Sequence, residues 1–442
     1  MNYPVKRLTP VDSHHLVGFN DLDPWSADGR KILCLRVGDI SNIPNFQSEA
    51  EVGFVGADGS SFVSCGRTPG WNFPQGGRQQ WVDVGGSEAI IFNRPKDGEW
   101  RAAISDLNGN AILDFKKSIY RITPCKRYGL GVNFARLYRL GGYGYPGLED
   151  PNIDQAAPAN DGIWKFELDT GECDLLISIA TVVQIEGFLP LDREAHHYLT
   201  HVLPSPTGNK LAFLHRYWLA DGGIRTRLMV MDERQRCSVW DEGFLSHFDW
   251  IDEESILIWG KPSSSIQALR SNKWIAQSPL FGKLLQGIKP IARKILRRSA
   301  SFAGYYKQIS PNNSKRDVIF SSRLPTTDGH PSFCPSNRDL LMTDTYPDDA
   351  GMRDLLIFDR SKENIVALGN FKQEKISISD ENLESVKRYI DAAVLRKFSR
   401  TQFAYSRSGV HCDLHPRWKS DGKAVCFDST HEGTRQVYMI EV

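Results

Sequence analysis

The sequence predicts an all-β fold, a seven-bladed β-propeller with its N-terminal strand completing the last blade, plus short helical insertions. Three observations predict it. An inner strand, a polar Ser/Asp/Gly turn and an apolar strand recur as a unit. The clearest copies are DPWSADGRKILCLRV (23–37), HVLPSPTGNKLAFLHR (201–216), HPSFCPSNRDLLMTD (330–344) and HPRWKSDGKAVCFD (415–428). A second mark, an apolar strand entering a tight polar turn, follows in most copies, as in LMVMDERQRCSVW and LLIFDRSKENIVAL. Such turns join hairpin strands. Finally, the last unit ends after its third strand at Val442, and Tyr3 to Leu8 precedes the first unit, available as the missing fourth.

Taken in order, the units start near residues 16, 78, 118, 197, 245, 328 and 412. The first holds SADG and then VGFVGADGSSFVSC. The second is the degenerate QWVDVGGSEAIIFN (80–93) with AAISDLNGNAIL, and the third carries IWKFELDTGECDLL. The fourth and sixth are clean copies, the fifth is the degenerate HFDWIDEESILIWG (247–260), and the seventh is the terminal stretch. Units of ~40–50 residues with four strands cannot each bury both faces, so they stack into one propeller domain over 1–442. Six blades with an accessory domain is the competing arrangement.

Two insertions break the rhythm. Residues 261–316 hold twelve Lys/Arg and no Asp or Glu. Within them PLFGKLLQGIKPIARKILRRS (279–299) spaces its apolar residues at near-helical intervals with basic residues between, and Pro290 interrupts the helix. A peripheral membrane contact or anionic partner bound through 279–298, and a solvated cap on the propeller, are the alternatives. The second insertion, 374–411, contains ENLESVKRYIDAAVLRKF and reads as an ordinary amphipathic helix.

Composition narrows the function classes. Hydrophobic residues at 40% and aromatics at 11% supply a sizeable core, and a net charge of +1 gives no argument for nucleic acid. Eight scattered cysteines without a CxxC pair read as buried thiols of a reducing compartment. The first fifteen residues lack the apolar core of a signal peptide, and no apolar run approaches the ~20 residues of a membrane span. A cytoplasmic protein, with membrane association open through the basic insertion, is expected.

The histidines carry the functional reading. His201, His330 and His415 each stand four residues before the first turn residue, and His247 fits the same offset in the fifth unit. Inner strands line a propeller's channel, so equivalent positions converge. Imidazole ligates Mn, Fe, Zn or Ni, and neutral His serves as a general base. The competing reading is structural, each His bonding the backbone of the next blade. Asp413, Asp23, Gln80 and Asp328 stand at the same level.

The third unit offers NFARLYRLGGYGYPG (133–147), where Arg136 and Arg139 sit close to the expected inner strand and suit a carboxylate. Tyr143 offers a stacking plane for a sugar ring, and Arg216 in LHRYW forms a second arginine–aromatic pair. Arg225 and Arg227 read as solvent-facing, DTYPD (344–348) as a rim loop, and His431-Glu432 as an exposed turn. His14-His15 and His196-His197 lie outside the repeat register and make poor chelates, because neighbouring strand residues face opposite ways. No Walker loop, GxGxxG, HExxH or GxSxG is present.

The SADG and KSDG blades resemble TolB-type propeller repeats. HVLPSPTGNKLAFLHR, SHFDW and HPRW together resemble the oligogalacturonate lyases, most clearly over 197–260 and 412–442. That resemblance implies a cytoplasmic seven-bladed propeller with Mn²⁺ held in the channel by histidines and a glutamine, and another histidine as base in β-elimination. Position by position, His201 matches the base, and His247 and His415 match metal ligands. His330 and Asp413 complete a metal set here, and Arg136 is the positional counterpart of the family's catalytic arginine. The chain departs from the pattern where the family has a glutamine and a second histidine: Val410 and Asp413 stand there. The expected function is a divalent-metal lyase, Mn²⁺ by the resemblance, acting on an acidic, uronate-containing oligosaccharide. Gln80, Arg139, Tyr143 and Arg216 are its expected substrate contacts. The alternative is a non-catalytic scaffold that uses the basic insertion.

Overall fold

The computed structural model describes residues 3–219, 223–261, 304–311, 318–373, 383–396 and 400–442. Seven small antiparallel sheets follow one another along the chain, which is the architecture of a seven-bladed β-propeller. Blade one comprises β2 (His14–Leu16), β3 (Lys31–Val37), β4 (Ala50–Gly56) and β5 (Val63–Thr68), and blade two β6 (Gln80–Val84), β7 (Ser87–Lys96), β8 (Glu99–Asp106) and β9 (Ala111–Asp114). Blade three holds β10 (Arg121–Ile122), β11 (Tyr128–Gly131), β12 (Gly162–Glu167) and β13 (Cys173–Ser178). Blade four holds β14 (Tyr198–Pro204), β15 (Leu211–Trp218), β16 (Ile224–Met231) and β17 (Cys237–Gly243). Blade five pairs β18 (Leu245–Trp250), β19 (Ile256–Gly260) and β20 (Tyr305–Ile309), and blade six β21 (Ser332–Phe333), β22 (Leu340–Asp344), β23 (Met352–Asp359) and β24 (Asn364–Lys372).

The seventh sheet confirms the expected closure. Its own strands are β25 (Arg417–Trp418), β26 (Ala424–Ser429) and β27 (Gln436–Glu441), and its fourth is β1 (Val5–Arg7), with Val5, Lys6 and Arg7 opposite Ile440, Met439 and Tyr438. A β27 left as an edge would expose unpaired backbone groups, and β1 covers them. The recurrent turns need glycine for their geometry: Gly29 of SADG has φ +68° and Gly422 of KSDG has φ +72°.

Contacts divide the chain into two compact units. One comprises Met1–Ile153, Ile163–Leu176 and His330–Val442, the other Asp154–Gly162 and Ile177–Gly329. Within each, apolar side chains from adjacent blades fill the space between sheets. In the first unit Leu33, Leu35 and Val52 of blade one meet Ile90 and Phe92 of blade two. In the second, Leu214, Leu228 and Trp240 of blade four meet Phe248, Trp250 and Ile258 of blade five. Inner-strand tryptophans stitch these seams. The indole of Trp81 donates to Pro24 O (2.7 Å), that of Trp250 to Leu203 O (3.1 Å) and that of Trp418 to Ser332 O (3.0 Å). Trp250 and Trp418 each follow a repeat histidine by three residues; β18 carries both His247 and Trp250, whereas His415 precedes β25.

Both insertions differ from expectation. Residues 304–311, placed by sequence inside a helical segment, instead contain β20, and residues 318–320 run beside it through the Lys307–Ile319 bridge. The amphipathic stretch 279–299 lies outside the described residues. Among its described residues the second insertion, expected as one amphipathic helix, holds three short ones, α3 (Leu383–Lys387), α4 (Ala392–Leu395) and α5 (Arg400–Arg407), numbered after α1 (Phe134–Arg139) and α2 (Ile179–Gln184). No helix among the described residues is long and apolar enough to cross a membrane.

Candidate metal centre

In the first unit, blades six and seven bring His330, Asp413 and His415 together. One ligand atom from each lies within 4.8 Å of the others, and all three residues are buried. The His330 and His415 rings stand edge to face with centroids 4.2 Å apart, and Phe19 packs against both. His415 is fully buried, yet neither ring nitrogen has a hydrogen-bond partner among the described residues. Leaving a buried polar group unsatisfied costs about 1–3 kcal/mol, so a ring with two such atoms calls for a reason. The backbone adds to this: His415 has φ +42°, a left-handed conformation that non-glycine residues seldom adopt outside turns.

The charges around this trio keep the carboxylate ionised and the His415 imidazole neutral. Burial works to raise the Asp413 carboxyl, but His411, Arg353 and His330 together hold it well below the usual carboxylate range. Arg353 Nη2 donates to Asp413 Oδ1 at 3.2 Å, and His411 Nε2 lies 3.0 Å from Oδ2. Burial, His330 and the Arg417 and Arg435 guanidiniums push the His415 imidazole well below its ordinary value, against the pull of Asp413. A neutral imidazole is the form that ligates a metal. Asp344, at the end of β22, binds both histidine segments. It lies 2.8 Å from His330 Nδ1 and accepts from the backbone N–H groups of His330 (2.7 Å), Leu414 (3.0 Å) and His415 (3.2 Å).

The second unit holds the other two repeat histidines. His201 and His247 have ring centroids 6.0 Å apart. His247 Nδ1 lies 3.2 Å from Asp328 Oδ1, and His201 Nδ1 lies 3.2 Å from the Thr200 hydroxyl. His201 shares the left-handed backbone of His415, at φ +54°. The shared sequence offset is thus also a shared conformation in the two clearest blades.

The remaining expected site residues are engaged elsewhere. Arg136 and Arg139 lie on α1, between β11 and β12, rather than beside an inner strand. Both are buried against Asp150, at 3.2 and 2.9 Å, and Arg139 also reaches Asp391 at 3.6 Å. Asn133 caps that helix and breaks the strand pattern. Gln80 joins blades two and three, accepting from Ile122 N (2.9 Å) and donating to Arg78 O (3.2 Å). The Arg407 guanidinium lies over the Tyr143 ring at 4.1 Å, and Arg216 donates to Thr226 Oγ1 (3.2 Å) and Leu245 O (3.4 Å).

Arg225 and Arg227, read from sequence as solvent-facing, are buried. They flank Glu242 at 3.3 and 3.8 Å on the face that also holds His215. Their i, i+2 spacing set them on one face of β16, but nothing in the sequence announced that this face is covered. DTYPD begins with the buried Asp344 at the end of β22, while its residues 346–348 are exposed as a rim loop would be, and His431 is partly buried against Tyr438, with centroids 4.4 Å apart. His411 was missed altogether, because it falls outside the repeat offset. Its two-residue spacing from Asp413 was the available signal.

No family model matches the sequence, and no curated protein matches it. Solved structures do. The oligogalacturonate lyase of Vibrio parahaemolyticus aligns over 100% of this chain and 94% of its own, at 10% identity and a TM-score of 0.42. An oligogalacturonate lyase in complex with manganese aligns over 100% and 93%, at 12% identity and a TM-score of 0.38. TolB from Acinetobacter baumannii aligns over 94% and 81%, at 10% identity and a TM-score of 0.36. Peptidases are also among the matches. The likeness is one of architecture, and the chemistry rests on this chain's own residues.

Proposed function

We propose that this chain is a metal-dependent lyase that cleaves a uronate-containing acidic oligosaccharide by β-elimination. The observation that carries the reading is His415: a fully buried imidazole, in a left-handed backbone, with neither ring nitrogen partnered among the described residues and one of them within 4.8 Å of ligand atoms of His330 and Asp413. Two imidazoles and a carboxylate fit a divalent first-row cation such as Mn²⁺, Fe²⁺ or Zn²⁺. His330, His415 and Asp413 would hold it. When bound, the cation supplies positive charge to neutralise a uronate carboxylate, which is what makes the adjacent carbon acidic.

The chain's own residues do the rest. A neutral imidazole takes the proton from C5 of the uronate, and His201 is the residue that matches the base of the resembling lyases. The freed electron pair forms the C4–C5 double bond, and the glycosidic oxygen at C4 leaves with its bonding pair. His247 and Asp328 stand beside His201 in its own unit, and Thr200 fixes its ring. Asp413 is held ionised against its burial by His411, Arg353 and His330, the form in which a carboxylate ligates.

The test is purified chain supplied with Mn²⁺ and a panel of oligouronides, followed at the absorbance of the unsaturated uronide. A metal-dependent rise that is lost in His201→Ala and in His415→Ala is expected. Metal bound at full occupancy with no new absorbance on any uronide would remove the lyase assignment.

A further inference from the structure

We propose that Asp344 is the positioning residue of this centre: it holds His330 in the Nδ1–H tautomer and fixes the backbone that presents His415. The proposal rests on the metal reading above and deepens it.

The carboxylate is 1% exposed and gathers four donors from two blades. On blade six it accepts from the backbone N–H of His330 at 2.7 Å, and His330 Nδ1 lies 2.8 Å from Oδ1 and 3.1 Å from Oδ2. On the segment leading into blade seven it accepts from Leu414 N at 3.0 Å and His415 N at 3.2 Å. A carboxylate is an acceptor with room for about four such bonds, so Asp344 is filled by these contacts. Its nearness to Nδ1 has a chemical consequence. In the neutral ring, the form that ligates a metal, the proton of His330 sits on Nδ1 to meet an acceptor, which leaves the lone pair on Nε2. A carboxylate behind an imidazole also raises the basicity of the ligating nitrogen.

The effect on His415 is mechanical. A residue at φ +42° persists only where its surroundings over-determine it, and the amides of Leu414 and His415 are both tied to the one carboxylate. One side chain therefore sets the tautomer of the first candidate ligand and the position of the second. A purely structural role for Asp344 explains the three backbone bonds but leaves the His330 tautomer unspecified.

The experiment reads ring nitrogens directly. The full chain labelled with ¹⁵N-histidine is examined by NMR without metal, His330 being assigned by loss of its signal in His330→Gln, alongside Mn²⁺ binding by calorimetry for wild type and Asp344→Asn. The wild type is expected to carry the His330 proton on Nδ1. Asp344→Asn is expected to lose that preference and to weaken Mn²⁺ binding about 10–100-fold. A wild-type His330 protonated on Nε2 overturns the proposal without any variant having to fold. So does an Asp344→Asn protein with unchanged tautomer and affinity. If the wild type binds no Mn²⁺, the metal reading falls, and the wild-type tautomer alone still decides the assignment of Asp344.

Discussion

Gln436 is the side chain on which the closure of the propeller turns, and replacing it by leucine should unfasten the N-terminal strand. The residue is fully buried on β27. Its Oε1 accepts from the Thr9 hydroxyl at 2.6 Å and lies 2.9 Å from His15 Nδ1, while its Nε2 donates to Ser13 O at 2.7 Å and to Thr434 Oγ1 at 3.2 Å. Leucine has similar bulk and none of these groups. Thr9 and His15 are themselves buried, so the substitution orphans at least two polar groups away from water. At about 1–3 kcal/mol for each, the loss is on the order of 4 kcal/mol. Urea unfolding followed by tryptophan fluorescence measures it, and hydrogen exchange over residues 3–16 locates it. The expected result is a lower midpoint with an unchanged slope, together with faster exchange of the β1 amides. A change of under about 1 kcal/mol, with β1 still protected, would refute the reasoning.

Three further outcomes are expected. Burial lowers His15 to about 4, so the unfolded chain binds its proton from about pH 6.5 downward while the fold does not. Stability should therefore be full above pH 6.5 and fall by about 3 kcal/mol as pH drops to 4, and His15→Phe should flatten that part of a stability–pH curve. His415→Phe should raise the melting temperature of the metal-free protein, since it replaces a buried ring with two unsatisfied nitrogens, while abolishing stabilisation by added Mn²⁺; calorimetric melting with and without metal decides it. Trp250→Ala should destabilise the blade four–five unit by about 3–5 kcal/mol, read by urea unfolding, because it empties a core position and removes the indole bond to Leu203 O.

The propeller was legible because each blade repeats a local rule. The SADG and KSDG turns need glycine at one position, and the strands on either side alternate apolar residues, so the pattern survives in the sequence. Even β1 was foreseeable from a last unit that lacked a strand. The site was legible only where it obeyed the same register. His201, His247, His330 and His415 share an offset, and the structure pairs them as His330 with His415 and His201 with His247, each pair within its own unit. Asp344 and His411 were hidden because their roles depend on contacts across some 60 to 80 residues of chain or on a segment outside the repeat. Arg136 and Arg139 misled for the opposite reason. Their sequence setting resembled an inner strand, whereas an Asn133 cap starts a helix that turns both guanidiniums onto Asp150.

The central claim is that His330, Asp413 and His415 hold a divalent cation. Crystals of the full chain grown with Mn²⁺ and measured at the manganese absorption edge test it most directly. The account predicts an anomalous peak within about 2–2.5 Å of a nitrogen of each imidazole and an oxygen of Asp413, and its loss in His415→Ala. Strong anomalous density elsewhere on the chain with none beside these three residues would contradict it.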